Sequence, residues 1–380
     1  MDFGLSEEQV AIVEMARGFA EAELAPFAVE WDQGKFFPLE ALKKAGGLGL
    51  GSIYVGEDVG GSGLGRLEAV LIFEELARGC PSIAAYISIH NMVVSMIDRY
   101  GDQSQRHGFI PALARMEELA SYCLTEPGAG SDAAALRTRA VRDGDFYVLD
   151  GQKQFISGAG ASSLYVVMAR TGAEGPKGIS AFIVPGDAAG LSFGANEKKM
   201  GWNAQPTRSV AFDHVRIPAS NRLGEEGDGF RIAMAGLDGG RLNIAASALG
   251  GAQMAFEKAV GYMGERRAFG QAIAGFQALQ FRLADMATDL EVSRTFLRRA
   301  AVALDERSPD ATRLCAMAKK IVTDNSFKTA NEALQMLGGY GYLADYGIEK
   351  IVRDLRVHQI LEGTNEIMRL IIARSIVGRG

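Results

Sequence analysis

The spacing of apolar residues changes twice along this chain, and those two changes constrain its fold more than any single motif. Up to about residue 119 the apolar positions recur every three or four residues, the period of amphipathic helices. Ser6 opens the first helix with a capping box, Ser6-x-x-Gln9, followed by Val10, Val13, Ala16 and Ala20 on one face. Phe37-Pro38 starts a short helix that Gly46-Gly47 ends, and further helices are expected over 66–78, 82–100 and 105–115. Near Ala120 the period becomes that of strands. Residues 120–125 read as one strand, and two Asp-Gly pairs, Asp143-Gly144 and Asp150-Gly151, flank Phe146-Tyr147-Val148-Leu149 and predict two successive hairpin turns. More strands are expected over 163–170, 178–184 and 208–212. From Gly229 helical spacing returns, in long elements at roughly 229–264, 276–305, 310–337, 346–360 and 365–377. The predicted fold is mainly α with a central antiparallel β domain. A helical domain fills 1–119, a barrel-like antiparallel sheet 120–225 and a four-helix bundle 226–380.

A chain of 380 residues has room for two or three domains, and 48% hydrophobic with 23% charged residues can bury a large core. The net charge of -6 gives no reason to expect nucleic acid or an anionic membrane as partner. No apolar run approaches ~18 residues, so no membrane-spanning helix is expected. The opening Met1-Asp2-Phe3, soon followed by Glu7-Glu8, lacks the character of a signal or transit peptide. Cys80, Cys123 and Cys315 are far apart and without C-x-x-C spacing, which predicts reduced thiols in a cytoplasm. His90, His107, His214 and His358 show neither HExxH nor paired spacing, so no metal is expected.

The chemistry concentrates near the C-terminus, in residues 353–369, RDLRVHQILEGTNEIMR. Ile348, Ile351, Val352 and Leu355 share one helical face; Gly363 then breaks the pattern, and Thr364 is placed to cap a last helix carrying Ile367, Met368, Leu370 and Ile371. Glu362 falls in the break. Two readings fit that pattern: a surface carboxylate complementing a helix dipole, or a base whose strength is set by desolvation against the helix end. Upstream, Gly128-x-Gly130-x-x-Ala133 matches a dinucleotide fingerprint, but the glycines lead into Asp-Gly turns rather than a helix and a parallel strand. A Rossmann domain is therefore not expected.

Four stretches in register carry a stronger signal: YCLTEPGAGSD at 122–132, Arg266-x-x-Phe269-Gly270, Gln335-x-x-Gly338-Gly339-x-Gly341 and LEGTNEIM at 361–368. Together they resemble the acyl-CoA dehydrogenase family over almost the whole chain. SIAAYISIHN, GWNAQPT and VHQILEGTN are most similar to the members that oxidise isobutyryl-CoA. The family's acidic-x-Tyr-Gly-Gly loop is here Glu57-Asp58-Val59-Gly60-Gly61, so no role of that Tyr carries over. The resemblance implies FAD, held at Tyr122, Cys123, Leu124, Thr125, Gly130, Ser131, Phe155, Ile156 and Ser157. Arg266, Phe269, Gln277, Gln335, Gly338 and Gly339 would reach it from a neighbouring subunit, and Thr364 and Glu366 would touch its dinucleotide part. Ser131, Asp238, Arg241 and Gly363 would bind the acyl-CoA, with Glu362 as catalytic base. It further implies dehydrogenation of a short branched-chain acyl-CoA, isobutyryl-CoA to methacrylyl-CoA in valine breakdown, an electron-transfer flavoprotein as partner, and a homotetramer. Another short or branched-chain acyl-CoA dehydrogenase, or a flavin oxidase on the same fold, are the competing expectations.

Overall fold

The computed structural model describes residues 4–378. Helices α1 (Glu7–Phe19), α2 (Ala28–Gly34), α3 (Leu39–Gly47), α4 (Arg66–Gly79), α5 (Pro81–Tyr100) and α6 (Gln103–Ala114) come first. The capping box forms: Gln9 N–H donates to Ser6 Oγ at 3.2 Å, and Ser6 N–H to Gln9 Oε1 at 3.1 Å. Helix α2 gave no sequence signal. At seven residues it is too short to show a period, and it is tied down at long range by Asp32, which pairs with Arg353 at 2.7 Å.

The sheet comprises β1 (Ala120–Cys123), β2 (Arg139–Asp143), β3 (Phe146–Ser157), β4 (Leu164–Arg170), β5 (Ile179–Pro185), β6 (Leu191–Phe193), β7 (Thr207–Pro218) and β8 (Arg222–Leu223). Its order is β6-β7-β3-β2-β4-β5-β8, with β1 beside β4. Most pairs are antiparallel, but β1 runs parallel to β4, and β2 meets β4 through one parallel pair. The intervening β2–β3 hairpin supplies the crossover that lets β1 and β4 lie side by side in the same direction. The sheet is therefore mixed where a purely antiparallel one was expected.

One of the two expected hairpins is also corrected. Asp143-Gly144 does turn β2 into β3, with Gly144 at φ 59°. Asp150-Gly151 does not turn. Both residues lie inside β3, where the register against β7 shifts between Leu149 and Gly151. Gly151 has φ 143°, and Asp150 Oδ1 accepts the His214 N–H at 2.8 Å. The dipeptide's tolerance of positive φ serves a bulge here instead of a turn, because a long partner strand continues alongside.

The C-terminal part comprises α7 (Gly229–Glu265), a small β9–β10 hairpin (Arg267–Ala268, Gln271–Ala272), α8 (Gln277–Asp305), α9 (Ala311–Met336), α10 (Ile348–Arg356) and α11 (Asn365–Val377). Helix α10 stops earlier than its apolar pattern suggested and passes into a 3₁₀ turn at Val357–Gln359. The largest apolar core joins Leu42, Phe73 and Leu76 to Leu249, Leu297 and Val322, so the N-terminal helices and the bundle share one interior. A second core packs Met92, Val93 and Ile97 of α5 on Val166, Met168 and Ile183 of the sheet. Helix α7, buried along most of 239–252, touches both layers and brings sheet, α5 and the 361–365 break together. Among the described residues no helix is long and apolar enough to cross a membrane.

Candidate active site

A cavity of about 650 Å³ opens where those parts meet, lined by the ends of β1 and β3, by α5 and α7, and by the break before α11. The sheet wall is built from two strand ends locked together. Gln154 N–H donates to the Thr125 carbonyl at 2.8 Å, and the buried Lys153 ammonium donates to the Leu124 carbonyl at 3.0 Å and to Glu126 at 2.8 Å. Glu126 in turn accepts the Arg137 and Thr138 N–H groups. Burying a Lys–Glu pair is tolerable only with this completeness of hydrogen bonding. A further β3–β7 register shift falls between Lys153 and Ile156. Phe155 in that shift has φ 58° and is 63% exposed, so the bulge turns an aromatic ring out into the cavity mouth.

The opposite wall is the break itself. Glu362 has φ 55° and Gly363 φ 89°, two successive left-handed residues, the first of a kind that rarely adopts them. Thr364 caps α11, its hydroxyl accepting the Ile367 N–H at 3.3 Å. Arg241 on α7 donates through Nε to the Glu362 carbonyl at 3.3 Å and through Nη1 to Asp238 at 2.6 Å. Lys319 on α9 donates to the Gly363 carbonyl and to Asn365 Oδ1, each at 2.9 Å. A backbone in an unfavoured conformation is thus held by two cations from two helices.

The Glu362 carboxylate projects into this space, and its Oε2 is shut off from solvent with no hydrogen-bond partner among the described residues. Desolvation pushes its pKa up to about 7, against the opposing pull of Arg241 and Lys319. A Cβ on Gly240 would lie 2.7 Å from Oε2, so that glycine makes the room the carboxylate occupies. Near it the Tyr122 hydroxyl is likewise buried and unpartnered, and burial, then the Glu362 charge, raises its pKa well above the ordinary value. Met92, Met234 and Leu237 complete an apolar end. An unpaired carboxyl poised near neutrality in a mostly apolar cavity is equipped to take a proton from carbon.

The structure gathers Tyr122, Leu124, Thr125, Gly130, Ser131, Phe155, Ile156, Ser157, Arg241, Glu362 and Gly363 around this one cavity. Cys123 points away, into the core on the far side of the sheet, and Asp238 stands behind Arg241. Arg266, Gln335, Gly338 and Gly339 line a different, open cleft of about 380 Å³ on the bundle. Phe269 is 94% exposed and Gln277 is exposed at the start of α8; neither lines either cavity. Glu366 is exposed and pairs with Arg369 at 2.9 Å. Two residues escaped the sequence reading. Lys319 shares the buried face of α9 with Cys315, Thr323 and Ser326, so its helical spacing alone marks it as an inward-facing charge. Trp202 enters the cavity from the loop before β7, its backbone N–H donating to Asp354 at 2.6 Å and its ring edge-on to His358. Nothing in the local spacing marks that contact.

Three family models match the chain in order: the acyl-CoA dehydrogenase N-terminal domain over residues 6–117, the middle domain over 121–215 and the C-terminal domain over 227–377. The chain belongs to the acyl-CoA dehydrogenase family. It is 54% identical to the mitochondrial isobutyryl-CoA dehydrogenase of Bos taurus, covering 98% of this chain and 90% of that one. Among solved structures it is similar to butyryl-CoA dehydrogenase from Megasphaera elsdenii, with a TM-score of 0.96 at 37% identity over 99% and 100% of the two chains. It is also similar to a chain from the structural work on the electron transferring flavoprotein of Acidaminococcus fermentans, with a TM-score of 0.97 at 40% identity over 99% and 100%.

Acyl-CoA dehydrogenases are FAD-dependent oxidoreductases, and the residues present suit that cofactor. The 122–125 and 155–157 strand ends form one wall, with backbone groups and the Thr125 and Ser157 hydroxyls at its polar edge and the Phe155 ring beside them. A Cβ added at Gly130, Gly338 or Gly339 would meet nothing within 4 Å, so the chain leaves open backbone at each place a dinucleotide would approach. The first of these lies at the cavity and the other two at the bundle cleft.

Proposed function

We propose that this acyl-CoA dehydrogenase converts isobutyryl-CoA to methacrylyl-CoA in valine breakdown, with Glu362 as the base. The single observation that carries the reaction type is the Glu362 carboxylate, unpartnered and near neutrality in a cavity walled by a flavin-suited sheet edge. The substrate rests on 54% identity to an isobutyryl-CoA dehydrogenase over 98% of the chain. FAD, when bound, supplies an acceptor for the β-hydrogen as hydride. Glu362 takes the α-proton, and its own backbone N–H, engaged by no described residue, is free to donate to the thioester oxygen as negative charge develops there. Ser131 and the Asp238–Arg241 pair serve the acyl-CoA, Arg241 by fixing the Glu362 carbonyl and so the aim of the carboxylate. An electron-transfer flavoprotein receives the electrons, a reading supported by the likeness to a chain from such a system. Cys80, Cys123 and Cys315 are buried and form no disulfide, which supports a reducing cytoplasm as the place where the protein works.

A steady-state panel of acyl-CoA thioesters with an artificial electron acceptor tests this reading. Isobutyryl-CoA should give the highest kcat/KM, above butyryl-CoA and isovaleryl-CoA, with no hydrogen peroxide formed from substrate and air alone. A straight chain preferred over isobutyryl-CoA overturns the substrate assignment, and stoichiometric peroxide makes the protein an oxidase.

A further inference from the structure

Lys319 is fully buried on α9, yet no carboxylate lies within ion-pair distance of it among the described residues. Its ammonium spends two hydrogen bonds on neutral oxygens, the Gly363 carbonyl and the Asn365 side chain. Asn365 is itself held from three sides, donating to Thr323 Oγ1 at 3.0 Å, to Asp324 Oδ1 at 2.8 Å and to the Lys320 carbonyl at 3.5 Å. These contacts form a post from α9 to two of the three residues that follow Glu362, Gly363 and Asn365. A buried ammonium without a counter-ion is unfavourable unless a nearby charge compensates it. The charge in question is Glu362: it is the leading influence favouring the charged form of Lys319, whose pKa burial lowers to about 8.

We propose that Lys319 is the positioning residue of the base, clamping the left-handed Glu362–Gly363 turn through the Gly363 carbonyl while its charge keeps the neighbouring carboxylate ionised. The inference rests on Glu362 being the base. The charged and titratable groups around Glu362 are Arg241 from α7, Lys319 from α9 and Tyr122 from β1; Asp324 and Glu366 lie on the far side of Lys319. Arg241 is already committed to Asp238, whose other oxygen accepts the Thr312 hydroxyl at 2.7 Å. Lys319 is the cation free of such a partner, so its removal leaves Arg241, already shared with Asp238, alone to oppose the desolvating wall.

The test uses the FAD-loaded assembly of Lys319→Met and of Lys319→Gln, the second keeping a neutral donor for the Gly363 carbonyl. Two readouts are compared: the acid limb of kcat/KM against pH, and the infrared carboxyl band that disappears in Glu362→Gln. Loss of a nearby cation should move both upward by about one pH unit from about 7, lowering kcat/KM at pH 7 roughly fivefold and hardly at all at pH 9. Lys319→Arg should keep the limb near its wild-type place. Neither readout moving in a folded, FAD-replete neutral variant overturns the inference and leaves the proposed function standing. The band moving while the kinetic limb stays keeps the control of Glu362 ionisation but removes Glu362 as the base. If both neutral variants fail to fold, the wild-type band decides: a second inflection near pH 8, where Lys319 loses its proton, supports the coupling, and a single inflection refutes it.

Discussion

At the scale of residues, the proposed chemistry turns on one carboxyl group and the room made for it. As the proposed base, Glu362 would act deprotonated, and burial raises its pKa to about 7, so kcat/KM should fall about tenfold per unit as pH drops below that value and level off above it. Its folded-state pKa lies above the ordinary 4.5, so the folded chain keeps a proton there that the unfolded chain has lost. Stability therefore declines as pH rises from about 4.5 to about 7 and does not recover above that range. Glu362→Gln should accordingly melt higher than wild type at pH 8 and no higher at pH 4, while losing about 10²–10⁴-fold in turnover. Equal melting curves at pH 8 would contradict the shift. Gly240→Ala places a methyl where Oε2 lies, 2.7 Å from it, and should cut kcat by ~10-fold or more with FAD content unchanged. Adding Gly240→Glu to Glu362→Gln should return part of the activity, because a side chain from Gly240 starts beside the same carboxyl. The position of Glu362 was legible as a break in helical spacing before a Thr cap. What holds it was not, because Arg241 and Lys319 reach it from 121 and 44 or fewer residues away along the chain, and only packing reveals that.

At the scale of elements, local chemistry was legible wherever a short-range rule decides, and misleading where a partner strand decides. The capping box at Ser6, the Asp143-Gly144 turn and the Thr364 cap all form as read. Asp150-Gly151 carries the same turn chemistry and became a bulge, because β7 runs alongside β3 from Phe146 to Ser157. Gly151→Ala tests that bulge. The residue is at φ 143°, and a Cβ would stand 2.7 Å from Thr138 Cα, so the change should lower stability by about 1–3 kcal/mol in urea unfolding. A shift of under a few tenths would mean the bulge carries no strain. β6 and β8, three and two residues long, had no period to read. A second register shift in the same strand, between Lys153 and Ile156, lifts Phe155 into the cavity mouth, so the irregular strand is part of what shapes the site.

At the scale of the whole molecule, one chain presents two separate cavities, which on the proposed reading are two halves of a cofactor site. The first lines the cavity at Glu362; the second, Arg266 with Gln335, Gly338 and Gly339, opens on the bundle surface with Arg266 over the Tyr340 ring. Phe269, Tyr342, Phe281, Ile376 and Val377 are exposed on the same C-terminal part, apolar side chains that a neighbouring copy would cover. We read both features as calling for neighbouring copies, at least a dimer and most economically a homotetramer. Light scattering should find no FAD-loaded monomer, and Arg266→Ala should lose FAD on dilution; full retention would remove that residue from the site. The most direct measurement of the central claim is anaerobic rapid mixing of the assembled, FAD-loaded protein with isobutyryl-CoA, following flavin absorbance. The flavin should bleach within the first turnover, faster than with butyryl-CoA or isovaleryl-CoA. An absorbance that stays unchanged with isobutyryl-CoA, or that bleaches faster with the straight chain, would contradict it.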